Sequence, residues 1–191
     1  MNYKLNFMTR IFDYLFSIFI LFLLFPFLLF IYFLLFLENR SPLFFQERVG
    51  KNFKKFTLIK FRTMKIGTKD CPTHLIDKSK ITFIGSIIRK TKIDEIPQFL
   101  NVLRGEMSIV GPRPCLLTQN KLLKEREKLN IHKTIPGITG LAQIKGIDMS
   151  DPYLLAKTEY KMIRSFSMKM YFYYILKTFI GSGFGDKVRR N

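Results

Sequence analysis

The chain has 191 residues, with 32 lysines and arginines against 14 acidic residues, a formal net charge of +18, and 48% apolar residues. Such an apolar content excludes a disordered polyelectrolyte, which lacks the apolar residues needed to collapse. An ordinary soluble domain is also excluded, because ten of the 21 phenylalanines lie in residues 1–40 while residues 41–191 carry a net charge of +17. We therefore predict an apolar anchor in residues 1–40 and a strongly basic domain in residues 41–191.

The apolar N-terminal segment is long enough to enter a membrane. No charged residue occurs from Tyr14 to Leu37, a run of 24 residues, and about 20 suffice to span a bilayer. The run is too long for the apolar part of a secretory signal peptide, and no small-residue cleavage site follows it. Pro26 interrupts the run, and a proline inside a helix removes one backbone hydrogen bond. Basic residues follow and precede the run, and basic flanks favour the cytoplasm. The residues alone leave two topologies open: a single kinked span, or a re-entrant helix that turns near Pro26 and leaves by the same face.

The remainder of the chain predicts a mainly helical α/β domain with short strands. Alternating apolar residues in 42–61 predict two strands joined by a turn at 49–52, and a polar loop is expected over 67–80. The spacing of isoleucines at 84–88 favours a helix. Helical patterns also cover 116–129 and 153–178. The last stretch mixes lysines with aromatic residues, which suits either a membrane interface or an amphipathic core helix.

The segment Ile93–Gly105 predicts a helix with two acids at its start. Pro97 is tolerated only in a first turn, so the helix is expected to begin near Ile93 or Asp94, and Gly105 to end it. Asp94 and Glu95 would then lie at the positive end of the helix dipole, which favours their ionised forms. The polar residues Asp94, Gln98 and Asn101 form a stripe opposite the apolar face. Acids are common in the first turns of helices, and a polar stripe can face water. The spacing by itself therefore does not require a catalytic or binding site.

Two turn-rich motifs and two cysteines complete the pattern. In Gly111-Pro112-Arg113-Pro114 the prolines stiffen the backbone that presents one guanidinium, which suits capture of a phosphate, although a solvated arginine fits equally. Glycines in 136–140 permit close approach of the backbone to a ligand, or form a plain turn. Cys71 and Cys115 are too few for a disulfide framework and are expected to be ordinary thiols in a reducing compartment. No spacing of cysteines and histidines indicates zinc.

Several motifs, taken in their order along the chain, resemble one family. They are Lys60-Phe61-Arg62-Thr63-Met64, Ile93-Asp94-Glu95-Ile96-Pro97-Gln98, Asn101-Val102-Leu103-Arg104-Gly105-Glu106-Met107-Ser108, Gly111-Pro112-Arg113-Pro114 and Pro136-Gly137-Ile138-Thr139-Gly140-Leu141-Ala142-Gln143. Together they resemble the bacterial sugar transferases, specifically the small monotopic phosphoglycosyl transferases, over about residues 10–188. The resemblance implies a re-entrant membrane helix broken near Pro26, interfacial amphipathic helices, and a catalytic domain in 41–191 at the cytoplasmic face of the bacterial inner membrane.

The resemblance also implies a reaction. Such enzymes move a sugar 1-phosphate from a UDP-sugar to polyprenol phosphate, such as undecaprenyl phosphate, and release UMP. They require Mg²⁺ and form a covalent phosphosugar intermediate on the aspartate that matches Asp94. This is the first membrane step of glycoconjugate and polysaccharide assembly, so anionic membrane lipids and downstream glycosyltransferases are expected partners, and nucleic acid is not.

The family's functional residues carry over to positions in this sequence. Asp94 matches the nucleophile and Glu95 a metal-binding or positioning acid, and this pair is the expected Mg²⁺ site. Expected phosphate-binding residues are Lys60, Arg62, Arg89 and Arg113, and expected nucleotide- or sugar-binding residues are Gln98, Asn101 and Gln143. Ile147-Asp148 stand where many relatives carry an arginine, which leaves the sugar open.

Both substrates of such an enzyme are anionic, which agrees with the basic domain. Charge alone also permits a different function, that of a polybasic, membrane-tethered protein that binds anionic lipid or nucleic acid.

Overall fold

A single long helix forms the N-terminal part of the molecule. The computed structural model describes residues 3–68 and 78–181, and α1 covers Tyr3–Asn39. Its 37 residues extend about 55 Å, and residues Phe7–Asn39 are apolar and long enough to cross a membrane. The helix continues through Pro26, so the predicted break does not end the helix there.

The first half of α1 is fixed to the basic domain by polar contacts. Arg10 donates to the backbone carbonyl of Met107 at 2.7 Å. Asp13 is fully buried and accepts hydrogen bonds from the backbone N–H of Ile109 at 3.0 Å and from the hydroxyl of Tyr171 at 2.8 Å. The carboxylate that directly precedes the apolar run is therefore hydrogen-bonded to the basic domain.

The second half of α1 also packs on the basic domain. Ile31 and Leu35 are buried in a cluster with Phe61. At the end of the helix, Glu38 Oε1 accepts a hydrogen bond from the backbone N–H of Ile84 at 3.1 Å. Contacts with the domain thus occur near both ends of the apolar run.

The predicted hairpin is confirmed. Strands β1 (Leu43–Val49) and β2 (Lys55–Phe61) pair antiparallel, with Phe44 opposite Lys60 and Arg48 opposite Phe56. Residues that face each other across such a pair project to the same side of the sheet. Phe44 and Arg48 are four residues apart in β1 and therefore also project to one side. Because Lys60 lies opposite Phe44, Arg48 and Lys60 share one face of the hairpin.

A second, parallel sheet was not expected from the sequence. Strand β3 (Ser108–Val110) pairs with β4 (Gly137–Thr139), and α4 (Asn120–Lys128) lies between them in the chain. Part of the 136–140 turn is thus a strand. Its glycines serve close packing of backbone on backbone, because a Cβ on Gly137 would stand 2.0 Å from the backbone nitrogen of Gly111.

Five further α-helices occur among the described residues of the domain. They are α2 (Phe83–Lys90), α3 (Gln98–Leu103), α5 (Leu141–Ile144), α6 (Pro152–Arg164) and α7 (Met168–Phe179). The pattern over 153–178 is two helices instead of one, because Ser167 begins a new helix by accepting a hydrogen bond from the N–H of Met170. The predicted 116–129 helix begins later, at Asn120. Most of the expected 67–80 loop, with Cys71, lies outside the described residues. The mainly helical fold with short strands is confirmed.

Helices α2 and α7 each have a buried and an exposed apolar side. Tyr171 and Tyr174 of α7 are at most 1% exposed, whereas Phe179 of the same helix is 64% exposed. In α2, Ile88 is buried and Phe83 is 80% exposed. These helices therefore combine core packing with exposed apolar surface. For the C-terminal pattern, an amphipathic core helix and a helix at a membrane interface are both compatible with this arrangement.

Candidate active site

The two acids lie in a short 3₁₀ turn that precedes α3. The turn covers Ile93–Glu95, and the α-helix begins only at Gln98, so the helix start predicted near Ile93 or Asp94 is wrong. The reason is Pro97, which has no N–H to donate to the carbonyl of Ile93 as an α-helix requires. That carbonyl instead accepts from the N–H of Ile96 at 3.1 Å, which is the tighter 3₁₀ pattern.

A cleft of about 500 Å³ lies beside this turn. Its charged and amide-bearing lining residues are Arg48, Lys60, Glu95, Gln98 and Arg113. They come from β1, β2, the 3₁₀ turn, α3 and the loop after β3. Four of the five were predicted from the family motifs. Arg48 was not, and the signal that could have found it is the alternation of the hairpin, which places it on the same face as Lys60.

Asp94 is buried next to the cleft and interacts with Lys60. Its residue is 7% exposed. Burial lowers the pKa of Lys60, the negative charges of Asp94 and Glu95 oppose that shift, and the positive charges of Arg48 and Arg89 add to it. Two acids and two arginines thus act electrostatically on Lys60.

The backbone of Arg113 is held by a buried ion pair. Its N–H donates to Glu159 Oε1 at 3.2 Å, and its carbonyl accepts from Arg126 at 2.7 Å. Arg126 and Glu159 bond each other twice, at 2.6 and 2.9 Å, and the Glu159 side chain is fully buried. The Arg113 guanidinium lies 3.8 Å from a carboxylate oxygen of Glu95. The sequence motif therefore does present this guanidinium from a fixed base.

The prolines beside Arg113 are also anchored. The carbonyl of Pro112 accepts from the N–H of Gly137 at 2.8 Å, and that of Pro114 accepts from Arg48 at 3.1 Å. Three successive carbonyls of the loop are thus hydrogen-bonded. The loop follows the carboxyl end of β3, where ligands commonly bind in parallel sheets.

Arg62 does not line the cleft. Its guanidinium donates to the carbonyls of Ser41 at 2.9 Å and Leu43 at 3.2 Å, and it stacks 5.3 Å from the ring centre of Phe44. It joins the end of α1 to β1. The phosphate-binding role implied by the family motif is therefore not supported for Arg62.

Asn101 is also a structural residue. It is fully buried, its amide nitrogen donates to the carbonyl of Thr57 and to Glu106, both at 2.7 Å, and its amide oxygen accepts from the N–H of Ile59 at 3.0 Å. These bonds join α3 to β2 and leave no group for a nucleotide or sugar. The polar stripe faces neither water nor the cleft at this position.

Gln143 packs against the loop that leads to Arg113. Its amide nitrogen donates to the carbonyl of Gly111 at 3.3 Å, and its residue is 8% exposed. Its partner, Gly111, directly precedes the Pro112–Pro114 segment. Gln143 itself does not line the cleft.

Cys115 is a free thiol that is fully buried. Burial raises the pKa of this thiol, which keeps it protonated and unreactive. The expectation of an ordinary thiol is consistent with this environment.

Comparison with known proteins identifies the family. The model of the family "Bacterial sugar transferase" matches residues 4–183. EpsL of Bacillus subtilis, named as an uncharacterized sugar transferase, is 43% identical over 140 residues, which are 73% of this chain and 69% of EpsL. The undecaprenyl-phosphate glucose phosphotransferase of Komagataeibacter xylinus is 42% identical over 147 residues, 72% of this chain and 27% of that protein. An Aeromonas hydrophila protein named as a UDP-N-acetylgalactosamine-undecaprenyl-phosphate N-acetylgalactosaminephosphotransferase is 34% identical over 161 residues, 79% of this chain and 38% of that protein. With nearly its whole length matched, the chain belongs to the bacterial sugar transferase family.

Proposed function

We propose that the protein transfers a sugar 1-phosphate from a UDP-sugar to polyprenol phosphate at the cytoplasmic face of the bacterial inner membrane. The observation that carries the proposal is the cleft lined by Lys60, Arg48, Arg113 and Glu95, with the buried Asp94 interacting with Lys60. Relatives whose names give undecaprenyl phosphate as acceptor support the choice of substrates, although the chain spans only about a third of their length.

The chemistry is a double displacement at phosphorus. A carboxylate oxygen of Asp94 forms a bond to the β-phosphorus, the bond from that phosphorus to the bridging oxygen breaks, and UMP leaves with the electron pair. A phosphate oxygen of the polyprenol phosphate then attacks the same phosphorus, which breaks the bond to Asp94 and restores the carboxylate. Covalent catalysis of this kind divides one difficult transfer into two easier ones.

The basic residues of the cleft fit this reaction. A carboxylate and a diphosphate repel each other, so the attack requires positive charge on the non-reacting phosphate oxygens. Arg48 and Arg113 are both fixed through their contacts with the protein, and a preorganised donor costs no reorganisation when charge develops. Lys60 adds a third cation, held beside Asp94.

The acidic pair fits a role in binding Mg²⁺. Among residues 3–68 and 78–181, no group of three or more metal-ligating side chains occurs, so a site built wholly of protein is not seen there. Mg²⁺ usually takes one or two carboxylates together with substrate phosphates and water. Asp94 and Glu95 would hold the ion, which when bound would neutralise charge on the diphosphate.

The covalent intermediate provides the test. Purified full-length protein is incubated with a panel of UDP-sugars labelled in the β-phosphate, without lipid acceptor. We expect label on the wild-type protein and on Glu127→Gln, which changes an exposed acid away from the cleft, and no label on Asp94→Asn. An adduct that persists in Asp94→Asn would disprove this nucleophile. Release of no UMP with any UDP-sugar and polyprenol phosphate, together with salt-sensitive lipid binding, would favour the polybasic binding protein instead.

The contacts of α1 support the re-entrant topology as part of this proposal. Arg10 and Glu38 both contact the basic domain, yet they are separated by 28 residues, about 42 Å along a straight helix. A single crossing would put them on opposite sides of a hydrocarbon layer about 30 Å thick. The domain could then touch both only by entering the bilayer, whereas a helix that returns to the same face needs no such insertion.

This topology is tested by labelling from the periplasmic side. Single cysteines are placed at Asn2 and at Ser41 in a chain without its two natural cysteines. We expect both to be protected in intact cells and both to react after the membrane is permeabilised. Labelling of one in intact cells, with the other protected, would demonstrate a full crossing.

A further inference from the structure

A second, larger groove lies away from the acidic pair. Its empty volume is about 1710 Å³, against about 500 Å³ for the cleft. It is lined by residues of α1, the hairpin turn, β3 and the loop after α4, and by α6 with the segment that follows it. We call it the α1 groove. It shares no lining residue with the catalytic cleft among the residues described.

The α1 groove combines an apolar floor with a cationic rim. The floor includes Leu129, Ile135, Ile163 and Phe166, and the rim consists of Arg10, Lys51, Lys133 and Arg164. None of its described lining residues is acidic. A surface with this pattern complements a molecule that has both a hydrocarbon chain and a negative headgroup.

Three of the rim cations are available to a ligand. Arg10 is already bonded to Asp13 and to the carbonyl of Met107. Lys51, Lys133 and Arg164 are exposed, and no ion pair within the described parts of the chain involves them. Each comes from a different element, so the fold itself brings three uncompensated charges to one groove.

The groove also lies where α1 would enter a membrane. Phe7, Thr9 and Arg10 line it, and the uncharged run begins at Tyr14, only about 6 Å further along the helix. Beyond that point the helix presents apolar side chains outward, with Leu15 61% exposed. The cationic rim is thus at the level where headgroup phosphates occur beside an inserted helix.

From this combination we infer that the α1 groove binds one anionic phospholipid, with the headgroup phosphate at Lys51, Lys133 and Arg164 and an acyl chain along the apolar floor. Such a lipid would fix the orientation of the domain relative to the bilayer. The inference does not depend on the proposed transferase activity.

Native mass spectrometry of the detergent-solubilised full chain, titrated with phosphatidylglycerol, tests the inference. We expect one retained lipid on the wild type. Binding should weaken about thirtyfold in Lys133→Gln/Arg164→Gln, since each basic residue near an anionic headgroup contributes about a fivefold effect and two residues are removed. The matched control Lys121→Gln/Lys124→Gln removes two exposed lysines of α4 outside the groove and should change binding by less than about threefold.

A second variant tests the apolar floor without a change of charge. Ile135 lines the groove and belongs to none of the buried clusters among the described residues, so Ile135→Trp should fill the groove and weaken lipid binding, with the fold checked by circular dichroism. Equal retention of phosphatidylcholine, equal loss in the control variant, or glycerol phosphate competing as well as the lipid would each overturn the inference. Because no UDP-sugar is present, these outcomes are distinct from a failure of the proposed reaction.

Discussion

The buried pair that holds Arg113 leads to the most specific prediction of stability. In Glu159→Gln, the amide oxygen can keep both bonds that Glu159 Oε1 accepts, from the Arg113 N–H and from Arg126. The new NH₂ group, however, faces the Nε–H of Arg126, which now donates to Oε2 at 2.9 Å. One hydrogen bond is therefore replaced by two opposed donors, and the Arg126 guanidinium, 7% exposed, loses its counter-charge.

The expected cost is large relative to the stability of a domain. Removing one partner of a buried ion pair lowers the free energy of unfolding by about 3–5 kcal/mol, out of a total of about 5–15 kcal/mol. Glu125→Gln is the matched control, since the Glu125–Lys128 pair is also 2.6 Å long but its lysine is 68% exposed. An exposed pair contributes only about 0–1 kcal/mol.

Urea unfolding of the detergent-solubilised chain, followed by far-ultraviolet circular dichroism, measures both costs. Glu159→Gln should also release UMP more slowly than the control, because the backbone that positions the Arg113 guanidinium loses its anchor. If the two variants lost the same small amount of stability, or if Glu159→Gln kept wild-type UMP release, the proposed role of the buried pair would be wrong.

Three further predictions follow from single residues. Burial lowers the pKa of Lys60, and a lysine is cationic only below its pKa. We therefore expect kcat/KM for UMP release to fall with rising pH, at a pH below the ordinary lysine pKa of about 10.4. Lys60→Arg should move that fall to higher pH, and an unchanged pH profile in this variant would contradict the role of Lys60. Asn101→Ala leaves the buried carbonyl of Thr57 and the N–H of Ile59 unpaired. Urea unfolding should therefore show a free energy of unfolding lower by about 1–3 kcal/mol or more, and an unchanged value would argue against a structural role for Asn101. Gly137→Ala places a Cβ 2.0 Å from the backbone nitrogen of Gly111, so the thermal midpoint should drop, and an unchanged midpoint would refute this packing of β3 on β4.

The sequence by itself determined the division of the molecule, the hairpin and the candidate acids. The uncharged run from Tyr14 to Leu37 requires an apolar environment whatever its partners. The alternation in 42–61 specifies which strand residues share a face. The family motifs identified Asp94, Glu95, Lys60 and Arg113 as site residues. All of these except the buried Asp94 line one cleft. These properties depend on local periodicity or on short motifs, which can be recognised without knowing what packs against them.

Only the tertiary structure decided which polar residues face the cleft and which are structural. Arg62 and Asn101 lie in family motifs, as the site residues do, yet their side chains hydrogen-bond to the backbone carbonyls of Ser41 and Thr57. Arg48 carries no motif but lines the cleft. The Arg126–Glu159 pair joins residues 33 positions apart, and a contact between two distant helices leaves no periodic trace in the sequence. A polar side chain is functional or structural according to its partners, and those partners are brought together by folding.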